Sequence, residues 1–585
     1  MGPSVFREER HNADIAVIGG GMAGLCAALA AARHGAQVAL MHDRPVLGGN
    51  ASSEMRMHIC GADRYHQIPL LRETGILEEL RLANQRFNPH WNYSLWDLVL
   101  YEAAQQQPNL RLLLNCSCQD ATMDGSRITS AKGWQLTTQT FHTVTAKIFI
   151  DCSGDAILAP LSGAEFRVGR EARAEYGESI APEQADQHTM GMTCLFQTRE
   201  YDSPQSFDPP AWIERFEKDS DLPYGAKGHE FWGMGYWWIE LGGEHDSIHD
   251  TEKLRHELLK IALGVWDHIK NRGDHGAANW ALDWLQFLPA KRESRRYRGE
   301  HVLCQGDIEG GGQFDDLVAY GGWPMDDHHP AGFRAVKLGA PATIFHPAPS
   351  PYGIPYRALY SRNVANLMFS GRCASCTHAA MSSTRVMGTA CSMGQAAGAA
   401  AALAALRGVE PRGLLPYIRE LQQALLWDDC YLPGLALRAP ALTAQARLTA
   451  SQGNPEPVRD GIHRPVKGDF HSWKARVGDS ITYEFSAPEE VREVALILDS
   501  ALDRNIIMTR HVPVGKQLRT VPPPLPKEFR IEGFIAGKWQ TLQHVTGNYQ
   551  RLVRVPIGRR LEGVRLVLDA TWGEKESHIY GFYGR

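Results

Sequence analysis

Residues Asp14 to Asp43, DIAVIGGGMAGLCAALAAARHGAQVALMHD, read as a strand, a glycine turn, a helix and a second strand. No other stretch limits the fold as strongly. Gly19, Gly21 and Gly24 hold the G-x-G-x-x-G spacing, Ile15 and Val17 lie on the incoming strand, Ala28 on the helix, and Gly35 and Val38 at its exit. Gly19 permits the tight turn, Gly21 lets the backbone approach a pyrophosphate, and Gly24 with Ala28 lets the helix pack on the sheet. Met22 and Ala23 open the helix, whose free N–H groups and positive dipole end face the phosphates. The frame predicts a Rossmann-like unit that binds a dinucleotide. One position departs from the pattern: the acid expected about 20 residues after the glycines, which takes the ribose hydroxyls, is replaced by His42, with Asp43 one place late. Imidazole accepts at one nitrogen and donates at the other. Either Asp43 or backbone compensates, or His42 tolerates a 2′-phosphate and the site takes NADP.

At 585 residues the chain is too long for one core. Hydrophobic residues make up 43% and charged residues 22%, which excludes a disordered or a membrane class. A net charge of −5 without a Lys/Arg cluster argues against a nucleic-acid partner. The first residues lack the apolar stretch of a secretory signal, and no later apolar run reads as long enough to cross a bilayer. Cytoplasmic residence and no membrane partner are the expectations. The 11 cysteines, odd in number and scattered, suit reduced thiols better than a disulfide framework.

After the first unit comes VLGGNASSEMRMHICGA, a glycine-rich loop suited to covering a cofactor. Apolar spacing predicts helices over Leu70 to Arg86 and Leu95 to Gln107, and alternation predicts strands at Leu110–Leu114, Ile128–Leu136 and Thr143–Asp151. From about residue 164 to 362 the chain fills with Trp, His, Gly and Pro, including a run of tryptophans between Trp212 and Trp284, as a substrate-facing cap or a loop-rich packed domain would. Asn366–Ser370 reads as a strand. Ser392–Leu406, with Gly394 and Gly398, reads as a buried helix packed close on its neighbours. Beyond Leu442, short alternating strands between Gly, Pro and Asn turns predict an all-β sandwich.

Four separated segments, GGGMAG with RPVLGGN, IFIDCSGDA, KRESRR with GGWPMDDHHP, and NLMFSGRCASCTHAAMSSTRVMGTACSMGQAAG, resemble the FAD-dependent oxidoreductase family with the glutathione-reductase-type fold. The resemblance covers about residues 12 to 430. It implies FAD as cofactor, with Gly48, Gly49 and Asn50 along the ribityl chain and pyrophosphate, Arg44 near the adenosine, and the Cys118 backbone at the adenine. It further implies Gly154 and Asp155 near the pyrophosphate, Gly371 and Arg372 beside the ribityl chain, and a helix from about Met387 whose N-terminus meets the flavin pyrimidine edge. The C-terminal part, through Asp460, Gly461 and Trp473, is similar to discoidin-type and carbohydrate-binding jelly rolls. That module is either a ligand binder, a buttress of the catalytic domain or an oligomer interface, so a homo-oligomer is left open.

A flavin dehydrogenase needs a base for the substrate proton. His378, between the strand that passes the flavin and the helix that caps it, is one candidate. His328 and His329, which follow Asp326 and Asp327, are others; no second half of a zinc site accompanies them, and no metal is assigned. Arg292, Glu293, Arg295 and Arg296 offer forked donors to an anionic or polyhydroxylated substrate, or form a salt-bridge cluster. Cys373 and Cys376 form a C-x-x-C that allows a dithiol oxidoreductase. His58 and Cys60, close to the GGN loop, are candidates for covalent flavin attachment.

The expected architecture is an α/β FAD-binding Rossmann-like domain in two parts (1–163 and 363–432), an inserted α+β cap (164–362) and a C-terminal all-β jelly-roll sandwich (442–585). The expected activity is oxidation of a hydroxyl-bearing small molecule, a sugar, glycoside or polyol, by hydride transfer to flavin N5, with an electron acceptor that the sequence leaves open. Two alternatives stand beside it: glycoside cleavage or elimination through transient oxidation, and a carbohydrate-binding scaffold with a vestigial flavin site.

Overall fold

The computed structural model describes residues 5–225, 231, 236–509 and 517–585. Strand β1 (Arg7–Asn12) precedes β2 (Ile15–Ile18), α1 (Met22–Arg33) and β3 (Val38–Met41), so the glycine turn joins a fully buried strand to a fully apolar helix. Helices α2 (Ile76–Phe87) and α3 (Tyr93–Gln105) follow; Asn92 caps α3 by accepting from the Ser94 and Leu95 amides. The next strands are β4 (Leu110–Leu113), β5 (Cys116–Asp124), β6 (Arg127–Gln135), β7 (Thr140–Thr145) and β8 (Ile148–Asp151). The alternation read as three strands thus conceals five. Leu110–Leu113 belongs to the parallel sheet, Cys116–Asp124 gave no strand signal because its polar residues face water, and the stretch up to Asp151 breaks at Ala146.

The inserted region contributes α4 (Thr251–Asp267) and the hairpin β9 (Met325–His328) and β10 (Thr343–His346). Part of its aromatic content forms a core: Trp266, Trp238, Tyr236, Phe196 and Phe333 are buried together. Trp232 lies outside the described residues. The chain then returns through β11 (Leu367–Phe369), α5 (His378–Thr384) and α6 (Met387–Arg407).

Strand β11 pairs in parallel with β8, completing a five-stranded sheet of order β11-β8-β2-β3-β4, while β1, β7, β6 and β5 form a second sheet. The glycines of α6 explain its placement. A Cβ at Gly394 or Gly398 would strike the carbonyls of Ala23 or Ala27, so the two alanine-rich helices α1 and α6 touch backbone to backbone. Helix α6 is 21 residues long and apolar enough by length and composition to cross a bilayer, contrary to the expectation that no such stretch exists; most of it is buried inside the protein.

The C-terminal module comprises β12 (Arg447–Ala450), β13 (Trp473–Arg476), β14 (Ser480–Leu498), β15 (Pro526–Ile535), β16 (Lys538–Val545), β17 (Leu552–Thr571) and β18 (Glu576–Gly584), all antiparallel in the order β13-β18-β14-β17-β15-β16, with β12 also on β14. The long strands β14 and β17 carry register shifts where they bend. Trp473 is a core residue whose Nε1–H donates to the Gln452 carbonyl at 2.8 Å. Buried arginines fasten this module to the first domain: Arg551 donates to Asp429 at 2.7 Å, and Arg72, forked on Glu78, also reaches the Ser500 carbonyl at 3.2 Å. Ile506, Ile507 and Met508 of the sandwich face Met57, His58 and Ile59 across a small cavity. The sandwich thus stands behind the loop that lines the main cleft.

Candidate functional site

The main cavity, about 1180 Å³, opens between the parallel sheet, the inserted region and the N-terminus of α6. It exceeds the usual volume of a single small-molecule pocket, which gives room for a cofactor and a second molecule. Gly19, Gly21, Met22, Ala23, Gly48 and Gly49 form one end. The glycine turn folds over the loop, with the Gly48 amide donating to the Gly20 carbonyl at 2.9 Å. A Cβ at Gly21 would meet nothing closer than the Gly49 Cα at 4.0 Å, so that side of the turn faces open space. Gly24 does not line the cavity; its Cβ would strike the Gly19 carbonyl, and its task is packing.

Two helix N-termini lie at this cavity without a side-chain cap or an acid in the first turn: α1, entered through Gly21, and α6, entered through Val386. Unsatisfied N–H groups in such a position take an anion. Backbone donors beside a glycine cradle fit a pyrophosphate; at α6 the Gly388 amide already donates to the Cys60 carbonyl at 2.7 Å, and the remaining first-turn donors fit a second electron-rich edge.

His42 and Asp43 both line this end. The expectation that His42 meets the ribose is corrected: its Nδ1 accepts the Gly20 amide at 2.9 Å and its Nε2–H donates to the Val46 carbonyl at 3.0 Å, which leaves neither nitrogen for a ligand. Burial lowers its pKa and keeps it neutral in that tautomer. Asp43, about half exposed at the rim, is the acid available for ribose hydroxyls, with Arg44 next to it on the cavity wall. Cys118 is also corrected. It lies in the core between the two sheets, with Cys116, Ile128 and Phe149, and does not line the cavity.

Gly154, Asp155, Asn50, Gly371 and Arg372 meet at the middle of the cavity. Asp155 receives Lys291 Nζ at 2.7 Å, Arg372 at 2.8 Å and the Ser294 hydroxyl at 2.8 Å. Burial pushes its carboxyl up, but the two cations win and hold it down to about 2. Arg372 also donates to the Gly154 and Lys291 carbonyls, both at 2.9 Å, so the clamp ties the return segment to the strand end of β8.

The far end is built from charged side chains. Glu240 accepts from His328 Nδ1 at 2.6 Å and lies 3.3 Å from Arg292; Asp326 lies 3.3 Å from His328 Nε2 and 3.2 Å from Arg385. Burial pulls the His328 pKa down, and the facing carboxylates of Glu240 and Asp326 reverse this and raise it, so the ring is an imidazolium. Burial pushes Asp326 up, yet His328 and Arg385 hold it well below the carboxylate range. Trp237, Trp323 and Phe345 supply aromatic surface around the cluster. Trp323 Nε1 and Arg385 Nε are buried donors without an acceptor among the described residues. Tyr65, His58 and Cys60 share the wall; the Tyr65 hydroxyl bonds His58 and takes the Cys60 thiol at 3.0 Å.

A model of the family described as FAD dependent oxidoreductase matches residues 14–425. The chain belongs to that family. FAD is therefore its cofactor, and the NADP alternative at His42 falls. Among solved structures, a geranylgeranyl bacteriochlorophyll reductase-like protein from Thermoplasma acidophilum is 13% identical, with 72% of this chain and 85% of that chain covered and a TM-score of 0.33. The L-proline dehydrogenase from P. horikoshii is 20% identical over 25% of this chain and 24% of that one, with a TM-score of 0.17. The family 32 carbohydrate-binding module of Streptococcus pneumoniae EndoD is 15% identical over 25% of this chain and 97% of its own, with a TM-score of 0.19. No curated protein matches the chain.

In this FAD-dependent oxidoreductase the remaining candidates are distributed differently from their reading in sequence. His378 does not line the cavity. It is caged by two carboxylates, Glu293 at 2.8 Å from Nδ1 and Asp327 at 3.1 Å from Nε2, and ties α5 to the hairpin. His329 accepts the Ala331 amide at 3.1 Å and serves the turn. Of the KRESRR run, Lys291 and Arg292 reach the cavity, whereas Arg296 is fully buried against Glu293, Glu171 at 2.8 Å and the Cys376 carbonyl at 3.0 Å. Cys373 and Cys376 are buried away from the cavity lining, and burial pushes the Cys376 thiol up to about 12, so the pair offers no thiolate. Glu240, Arg385, Tyr65 and Trp323 were not singled out in sequence. Strand alternation in β9 carried part of the missing signal: Asp326 and His328 share one face, and Asp327 takes the other.

Proposed function

We propose that this oxidoreductase oxidises a hydroxyl-bearing small molecule, a sugar, glycoside or polyol, at the far end of the cavity. The observation that carries this reading is the pairing of aromatic surface with charged groups and two unpaired donors, Trp323 Nε1 and Arg385 Nε, in one wall. Sugar rings offer apolar faces for stacking and oxygen atoms for such donors. Bound FAD supplies a two-electron acceptor for the hydride that the hydroxyl-bearing carbon gives up.

The protein supplies the proton chemistry. Asp326 is the acceptor of the substrate hydroxyl proton: its Oδ1 takes the Thr343 hydroxyl at 2.7 Å and its Oδ2 faces Arg385 at 3.2 Å, and the substrate hydroxyl joins these donors. His328, held protonated by Glu240, and Arg385 stabilise negative charge on the substrate oxygen as it loses the proton. Arg292, which donates to Thr193 Oγ1 at 2.7 Å and to the Trp237 carbonyl at 2.8 Å, fixes Trp237 in place. Asp43 and Arg44 hold the adenosine end, and the clamp at Asp155 sets the segment between.

The test is anaerobic bleaching of the yellow protein near 450 nm by a panel of sugars, glycosides and polyols. The reading expects bleaching by a subset that persists until an acceptor is added. Colour returning without an acceptor would replace net oxidation by a transient one, and a panel that leaves the colour unchanged would remove the substrate class.

A further inference from the structure

Outside the cavity, strands β1 and β7 run parallel with Glu9 directly opposite His142. His11, two residues after Glu9, points to the same face. Three polar atoms converge there: His11 Nε2 donates a hydrogen bond to His142 Nδ1 at 2.8 Å, and Glu9 Oε2 lies 4.0 Å from the first and 3.7 Å from the second, so an ion that enters takes the place of the proton between the rings. A point in their midst is about 2.1 Å from all three, which is the length of a zinc–nitrogen or zinc–oxygen bond.

We propose that Glu9, His11 and His142 form a binding site for one divalent transition-metal ion of the zinc type, with a fourth position open to water. No residue of the trio lines the flavin cavity, and the FAD chemistry makes no use of them. Four further observations fit the assignment. Both imidazoles are buried, at 9% and 4% exposure. His142 Nε2–H is directed at Gln135 Oε1, 3.1 Å away, so its Nδ1 carries the lone pair that faces the trio. Glu9 Oε1 is occupied by Arg7 at 2.6 Å, whereas Oε2 is the oxygen turned to the imidazoles. The donor set, two imidazoles and one carboxylate, suits zinc and its neighbours and not calcium or magnesium. The Arg111 charge faces both rings and opposes a cation, and Glu9 supplies the negative charge against it. The ion would clip the first strand of the chain onto the second sheet.

The FAD-loaded full chain, stripped with a chelator, is titrated with Zn²⁺ by calorimetry and with Co²⁺ by absorbance. The proposal expects one equivalent bound, with cobalt bands of a four-coordinate nitrogen and oxygen site. It expects that equivalent to disappear in His11→Asn and in His142→Asn, and the affinity to fall at least about tenfold, about 1.4 kcal/mol, in Glu9→Gln. His268→Asn, in a separate Asp219, His268, His275 group, should leave it in place. Failure to bind zinc, or binding kept in both histidine variants and lost in His268→Asn, overturns the site. Should either histidine variant fail to fold, hydrogen exchange on the unmodified chain decides: zinc must slow exchange at Arg7–Asn12 and Thr140–Thr145, and unchanged rates there overturn the proposal.

Discussion

Under Gly19 to Ala23 the wall of the cavity is main chain: a glycine turn, the uncapped N-terminus of α1 and carbonyl-to-amide contacts with the GGN loop. Beneath Arg385 it is side chains, drawn from Arg292, the hairpin at Asp326 and His328, and the residues that lead into α6, with Glu240 behind them on His328 and Arg292. The first end offers donors that every sequence carries and that fit a phosphate, so the sequence must only keep side chains away. At the second end, specificity depends on which ionisable groups are brought together, and each is held by its neighbours' charge. Changes at the first end should therefore alter cofactor content, and changes at the second should alter turnover while the protein stays yellow.

The largest effect is expected from Gly21→Ala. The new Cβ meets no protein atom within 4 Å apart from Gly49 Cα, so the fold should stand, yet it occupies the path of the pyrophosphate. FAD affinity should fall about hundredfold, or about 3 kcal/mol, at an unchanged apoprotein melting temperature. Affinity within a factor of two of the parent would show that the cofactor does not approach this turn. Next comes Asp326→Asn, which should lower kcat by up to about a hundredfold with flavin absorbance retained. Loss of flavin in that variant would blur the two ends and count against the division.

His328→Gln sharpens the same contrast through pH. The raised pKa of His328 means that the imidazolium and its ion pairs are present at neutral pH and are lost as pH rises through the raised value. Asp326, whose pKa is lowered, stays ionised until pH falls well below the usual carboxylate range. The parent rate should thus be flat on the acid side and decline on the alkaline side. The variant should be about tenfold slower and lack the alkaline decline. An identical alkaline limb in both would assign that limb elsewhere. The smallest effect is reserved for Asp43→Asn, which removes a charged acceptor at an exposed rim and should weaken FAD about tenfold or less. No change would leave the ribose to the backbone.

Much of this was legible in the sequence because it depends on local rules. The glycine spacing, the small residues of Ser392–Leu406 and the alternation beyond Leu442 each report a backbone requirement that recurs within a few positions. His42 was legible as a departure from the pattern and not in its meaning, because the partners that occupy its two nitrogens, the Gly20 amide and the Val46 carbonyl, meet it only once the turn has closed. His378 drew notice by its position near the capping helix, but Glu293, 85 residues earlier, and Asp327 turn it into a tie between elements. Of the tryptophans between Trp212 and Trp284, Trp238 and Trp266 are core and Trp237 lines the cavity, whose aromatic wall also includes Trp323 and Phe345 from outside that run.

By itself, the sequence determined that the chain would build a dinucleotide cradle, close it with a second small-residue helix, and end in a β-module, because each of these follows from periodicity and from where side chains are missing. Only the tertiary structure decided which acids, arginines and histidines face one another, since an ion pair such as Glu240 with His328 joins residues 88 positions apart. That pairing sets their protonation. Charge interactions fall off over a few ångströms of space and take no account of distance along the chain.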